Sequence, residues 1–241
     1  MSDILVFSNS SISSDLEILI KDLNLEIVDN KNTAIIGSSS SGKTTLLKAI
    51  AGIFPATNLE KKNKNSIRVL INLPKSSNTV QDLLIKQKEE KFLNELLDEF
   101  SIRKYLNTKL MKLPKETLIL VYILELIMEK PKLIVLDDFF SHLKLDYKLK
   151  LLNWCQKLKI TLMIVMSDIE DTLYMDNIIV MHKGKVLIND EKMAVYENEK
   201  LLNKLGIGLP FVVDLSRQLM YYGLVEEIYL TKESLVEKLW K

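Results

Sequence analysis

Gly37-Ser38-Ser39-Ser40-Ser41-Gly42-Lys43-Thr44 sets two glycines, a lysine and a hydroxyl at the spacing of a phosphate-binding loop. A loop that enters a helix N-terminus aims several backbone N–H groups at one point, where they cradle phosphate oxygens. Gly37 and Gly42 permit the close approach, Lys43 would neutralise β- and γ-phosphate charge, and the Thr44 hydroxyl would ligate Mg2+. Thr45 completes the run, and the expected ATP-contacting set is Gly37, Ser38, Ser39, Ser40, Ser41, Gly42, Lys43, Thr44 and Thr45. A carboxylate for the metal should end a neighbouring strand. Leu133-Ile134-Val135-Leu136-Asp137-Asp138 supplies four apolar residues and then two acids. Asp137 would hold the Mg2+ shell and Asp138 could orient or deprotonate an attacking water, unless the acids merely cap the next helix.

The elements that must position these groups are legible around them. Residues 33–36 read as a short buried strand and 42–54 as the helix after the loop, ended by Pro55. Upstream, residues 4–7 and 16–27 read as strands separated by a Ser/Asn turn over 8–14. Residues 58–65 are polar and lysine-rich and read as a solvated loop; 67–73 is a further strand closed by Pro74. Helical spacing marks 89–102 and 115–129, and the unusually apolar stretch 118–128 predicts a buried helix. Strands at 133–136, 161–166 and 177–181 then alternate with helices at 145–158 and 169–174, and 183–188 closes a hairpin. Such alternation predicts an α/β fold with a mostly parallel sheet covered on both faces. Two amphipathic helices follow at 210–222 and 232–240, the second N-capped by Thr231.

The length of 241 residues fits one large domain, 1–204, with a helical part over about 75–130 and a short helical appendage, 205–241. With 33 basic and 32 acidic residues intermixed, no electrostatic reason for a nucleic-acid partner exists. Lone Cys155 excludes an intramolecular disulfide and reads as a core residue. No signal peptide is visible after Met1, and residues 118–128 are too short to span a bilayer, so any membrane role must come through a partner. His142 and His182 have no spacing that suggests a metal site.

The phosphate loop and the acid-ended strand, with Pro131 six residues before Asp137, resemble an ATP-binding cassette (ABC) ATPase, a P-loop NTPase. By that resemblance the family's signature falls on Leu113-Pro114-Lys115-Glu116-Thr117, and the loop after the strand on Ser141-His142-Leu143-Lys144. The switch position falls on Ser167 and the glutamine-loop position, a further metal contact, on Asn72. The tail, from Leu209-Pro210-Phe211 to Leu239-Trp240, is similar to that of energy-coupling-factor (ECF) transporter ATPases. The resemblance implies ATP and Mg2+ as cofactors and a second ABC ATPase subunit, identical or different. It also implies a membrane-embedded coupling protein and a solute-binding membrane subunit, at the cytoplasmic face of the cell membrane. ATP binding and hydrolysis would drive uptake of a small solute such as a vitamin or metal ion.

Departures from the family pattern are concentrated where hydrolysis would be performed. The catalytic glutamate is Asp138, the switch histidine is Ser167, the glutamine is Asn72, and the aspartate of the loop after the strand is Lys144. Pro114 lacks an N–H, and Lys115 and Glu116 stand where the family has glycines. Phe7 is the nearest aromatic for an adenine ring. The interval from Lys43 to Leu113 is shorter than the family's, which predicts a reduced antiparallel β-subdomain. Slow hydrolysis is therefore expected, with Asp138 and Ser167 in the hydrolytic positions. The alternatives are a regulatory subunit that holds nucleotide without turnover, and a soluble P-loop phosphotransferase or GTPase. Against a GTPase, Asn63-Lys64-Asn65-Ser66 lacks the aspartate of a guanine-reading segment.

Overall fold

In the computed structural model, which describes residues 3–62, 66–84 and 89–240, the apolar runs become central strands whose residues alternate between two cores. Ala34 and Ile36 of β3 (Thr33–Ile36) enter one apolar cluster and Ile35 the other. The same division holds for β6 (Leu133–Asp137), β7 (Thr161–Val165) and β8 (Asn177–His182). Side chains of a strand point alternately to opposite faces, so a strand apolar at every position must be covered on both. With β5 (Ile67–Leu70) and β9 (Lys185–Glu191) these strands form a six-stranded sheet in the order β5-β6-β7-β3-β8-β9. All pairings are parallel except the β8–β9 hairpin.

On one face lie α1 (Lys43–Ile50) and an antiparallel sheet in the order β2 (Ile18–Val28), β1 (Asp3–Ser13), β4 (Leu59–Lys61). Here the structure corrects two expectations. Residues 8–14 are not a turn: β1 runs from Asp3 to Ser13 against β2 (Ile18–Val28). The serine-rich stretch is carried into the sheet because Ser10 and Ile12 both point inward. The buried Ser10 hydroxyl is satisfied by the Asn58 carbonyl at 3.0 Å. The start of the expected loop 58–65 is instead β4 (Leu59–Lys61), paired with Leu5–Phe7; residues 63–65 lie outside the described residues. Phe7 is fully buried in this layer, so it cannot stack on a base.

The other face carries α2 (Val80–Leu84), α3 (Glu90–Glu99), α4 (Lys115–Met128) and α5 (Leu145–Leu158). Residues Ile119–Leu124, Ile127 and Met128 are buried, which is why α4 shows little polar relief around its circumference. Cys155 is buried on α5, and burial pushes its thiol up to about 12. The expected helix 169–174 is a 3-10 turn, Ile169–Tyr174, capped by Asp168. After β8 and β9 come α6 (Lys192–Glu197), α7 (Glu199–Lys204), α8 (Phe211–Tyr221) and α9 (Lys232–Leu239). Val212, Val213 and Leu235 of α8 and α9 join the same apolar cluster as α4 and the sheet.

Candidate nucleotide site

Parallel pairing brings the C-terminal ends of β3, β6 and β7 together, and the chemistry-bearing residues follow directly from those ends. Ile35 is in register with Val165, and Asp137 with Val165, so the phosphate loop, the two acids and Ser167 share one sheet edge. At Gly37 the requirement for glycine is steric: a Cβ there would stand 2.2 Å from the Met181 carbonyl oxygen, at φ 153°. Gly42, at φ 105°, starts α1 without a side-chain cap, leaving the first N–H groups of the helix directed at the loop. Residues Ser40, Ser41, Gly42, Lys43, Thr44 and Thr45 line an open depression of about 270 Å3. The turn of the β8–β9 hairpin braces it, with Gly184 N–H donating to the Ser41 carbonyl at 2.9 Å.

Lys43 folds into the centre of this loop. Its Nζ donates to the carbonyls of Gly37 and Ser38 at 2.7 and 2.9 Å, and to Ser41 Oγ at 3.2 Å. Partial burial lowers its pKa, opposed by the charges of Asp137 and Asp138. Thr44 Oγ1 donates to Asp137 Oδ2 at 3.1 Å. Burial raises the pKa of the Asp137 carboxyl, with the Thr44 bond and Lys43 opposing it. A carboxylate, a hydroxyl and a lysine beside an uncapped helix start fit a phosphate with a hard, oxygen-seeking cation. Thr44 and Asp137 would hold Mg2+, and the loop and Lys43 the phosphates.

Asp138 takes φ 57°, a left-handed conformation disfavoured for a residue with a Cβ but tolerated by aspartate. Four bonds hold it there, one of them donated by Ser141 Oγ to its carbonyl oxygen at 3.0 Å. Its N–H donates to the Val165 carbonyl at 3.0 Å, and its Oδ1 accepts from Ser167 N–H at 3.1 Å and Ser167 Oγ at 2.8 Å. The acid and switch positions are thus in direct contact. The consecutive strand–helix–strand 133–165 was the sequence signal for this, because such units place their strand ends side by side.

The remaining expected residues are placed differently. Asn72 is exposed two residues past the end of β5 and, among the described residues, makes no hydrogen bond to Thr44 or Asp137. The signature-like segment starts α4, with Leu113 buried, Pro114 at the N-cap and Lys115, Glu116 and Thr117 in the first turn. It is bound to the loop after Asp138. Lys115 Nζ lies 3.0 Å from His142 Nε2, and Glu116 Oε1 accepts from the Lys144 N–H at 2.8 Å. His142, which the sequence places in the loop after the strand and sets aside only as a metal ligand, is therefore a contact of the signature-like turn, and no spacing rule would have shown that contact. A larger cavity of about 450 Å3, lined by Asn30, Asn32, Asn153 and Gln156 among others, lies beside the strand starts. It has no phosphate-binding loop.

Comparison with known proteins agrees with this geometry. The ABC transporter family matches residues 20–141. The chain is 24% identical over 268 aligned positions to energy-coupling factor transporter ATP-binding protein EcfA1 of Staphylococcus aureus strain USA300, covering 98% of both chains. It is also 24% identical over 253 positions to the protein of that name from Ureaplasma parvum serovar 3, covering 92% of this chain and 86% of that one. The solved structure of cbiO1 from Clostridium perfringens, part of the ABC transporter complex cbiONQ, superposes with a TM-score of 0.68 at 20% identity. That match covers 90% of this chain and all of the other. From its phosphate loop to the acid-ended strand that faces it, this chain belongs to the ABC transporter ATPase family.

Proposed function

We propose that this chain is the ATP-binding subunit of an ECF-type ABC transporter, coupling ATP binding and slow hydrolysis to uptake of a small solute through membrane partners. The observation that carries the reading is the convergence of Lys43, the Thr44–Asp137 pair and the Asp138–Ser167 pair at one sheet edge. The similarity to proteins named EcfA1 supports the transporter class. Gly37–Thr45 binds the phosphates, Lys43 offsets their charge, and Thr44 with Asp137 holds the metal. Mg2+, when bound, supplies further neutralisation of phosphate charge. Asp138 occupies the position of the base for the attacking water. Its Oδ1 already accepts two bonds from Ser167, which leaves Oδ2 to accept from water, and Ser167 cannot take a proton near neutral pH as an imidazole can. Those two facts support binding without rapid turnover.

No described helix is long and apolar enough to cross a membrane, so attachment to the cytoplasmic face is assigned to partners. Residues 205–241 are assigned to pairing with a second ATPase. Tyr221, Tyr222, Leu224 and Trp240 are all more than half exposed there, which is more apolar surface than solubility calls for. Replacing the exposed Tyr221, Tyr222, Leu224 and Trp240 with serine, which leaves the buried Val212, Val213 and Leu235 in place, should weaken pairing with the second ATPase while ATP binding persists. Pairing at undiminished affinity, measured by analytical ultracentrifugation, would count against that role.

The nucleotide reading is tested by thermal unfolding with Mg2+ and either ATP or GTP. A ligand at 100 times its Kd adds about 2.7 kcal/mol, which for a chain of this size raises the Tm by roughly 5–10 °C. ATP should do so. No shift with ATP, or a shift with GTP alone, would reject the reading in favour of a different P-loop protein.

A further inference from the structure

The 3-10 turn Ile169–Tyr174, which starts two residues after Ser167, is tied to three different elements within three successive residues. Glu170 Oε1 accepts from the N–H of Phe211, the first residue of α8, at 2.5 Å. Asp171 Oδ1 pairs with Lys148 Nζ of α5 at 2.5 Å, both side chains being at least nine-tenths buried. Thr172 Oγ1 shares a hydrogen bond of 2.7 Å with Tyr196 Oη of α6. On its upstream side the turn begins at Asp168, whose Oδ1 accepts from Glu170 N–H at 3.0 Å. One residue further back, Ser167 holds Asp138.

We infer that Glu170 is a positioning residue that ties the C-terminal appendage to the Ser167–Asp138 pair, so that the seating of α8 sets the placement of Asp138. The inference deepens the proposed function and rests on its assignment of Asp138. The shortest path runs from α8 by hydrogen bond to the Glu170 carboxylate and then through the Asp168 cap to Ser167; a longer one, through Arg217, Tyr196 and Thr172, enters the turn on its far side. Pro210 at the N-cap of α8 supplies no side-chain acceptor, so the carboxylate of Glu170 serves as the helix's cap from another element. An anion at that place is favoured both by the free N–H and by the helix dipole. Removing it releases the start of α8 and the turn together. The buried Lys148–Asp171 pair keeps the far side of the turn in place, so the released motion falls on residues 167–170. A role confined to stabilising the appendage would leave the Ser167 N–H bond untouched.

The test is residue-specific amide hydrogen exchange on the full-length chain and three variants. Glu170→Ala removes the acceptor, Glu170→Gln keeps an oxygen, and Phe211→Pro removes the donor. Proline is accommodated at 211 because Pro210 already has ψ 143° and the first helical position tolerates it. Losing a charge-assisted bond should raise exchange at the Ser167 amide about tenfold in Glu170→Ala and Phe211→Pro. Exchange within β3 and β7 should not change, and Glu170→Gln should recover most of the protection. Wild-type exchange at Ser167 in both disrupting variants would overturn the inference, as would equal acceleration throughout the sheet. Lys43→Ala, assayed alongside for ATP binding, separates the two readings. Retained binding there rejects the nucleotide site, whereas the exchange pattern at Ser167 tests Glu170 without reference to nucleotide.

Discussion

Lys43→Ala should abolish measurable Mg2+-ATP binding, with Kd rising at least about 100-fold, while the chain stays folded. The loss follows from the position of the ammonium inside the loop, where it meets the Gly37 and Ser38 carbonyls. A phosphate bound there would take charge-assisted bonds from it, each contributing about 1.5–3 kcal/mol, and roughly 1.4 kcal/mol is a factor of ten in affinity. The fold should survive because Lys43 lies outside both apolar clusters, and its removal restores no clash and opens no core cavity. Isothermal titration calorimetry paired with circular dichroism reads both halves. Unchanged affinity in a folded variant would place the nucleotide elsewhere.

The second large effect runs in the opposite direction. Asp138→Glu combined with Ser167→His should raise steady-state ATP turnover of the paired ATPases by about tenfold to a hundredfold. Glutamate restores one methylene of reach toward the water, and a displacement of about 1 Å at a reacting group is worth roughly 100-fold. Histidine at 167 supplies a group that can accept and return a proton near neutral pH. Because its ordinary pKa is about 6.5, the gain should be present above that pH and fade as the imidazole protonates below it. Asp138→Glu alone should give less, since Ser167 would still occupy one carboxylate oxygen. Brisk wild-type turnover that the double substitution fails to raise would show that Asp138 and Ser167 already do the chemistry unaided.

Much of this arrangement is legible in the sequence. The phosphate loop announces itself because glycine, lysine and hydroxyl each have a fixed task at a fixed spacing. Residues 133–138 stand out because a fully buried strand must be apolar throughout and its acids can lie only at its end. Buried α4 was visible for the same reason. The small sheet was less legible. Ser8–Ser13 has a turn's composition, yet β1 continues through it because Ser10, Ile12 and Ser13 pair with β2, Asn58 accepts from the Ser10 hydroxyl and Ile12 bridges to Ala56. Cross-strand partners far apart in sequence decided that stretch, and local composition carries no trace of them. Phe7 failed as an adenine contact for a related cause: its place in the strand turns it inward. The Lys115–His142 contact and the Glu170 bond to Phe211 join segments separated by 27 and 41 residues, and neither has a spacing signature.

This chain should hold ATP in its phosphate loop and hydrolyse it slowly. The most direct measurement is to load the full-length chain with Mg2+ and ATP, remove free nucleotide, and quantify bound ATP, ADP and released phosphate over time. The predicted result is near-stoichiometric retention of nucleotide that remains mostly ATP over many minutes, and no retention by Lys43→Ala. Failure of the wild-type chain to retain nucleotide, or its rapid conversion to ADP and phosphate, would contradict the claim.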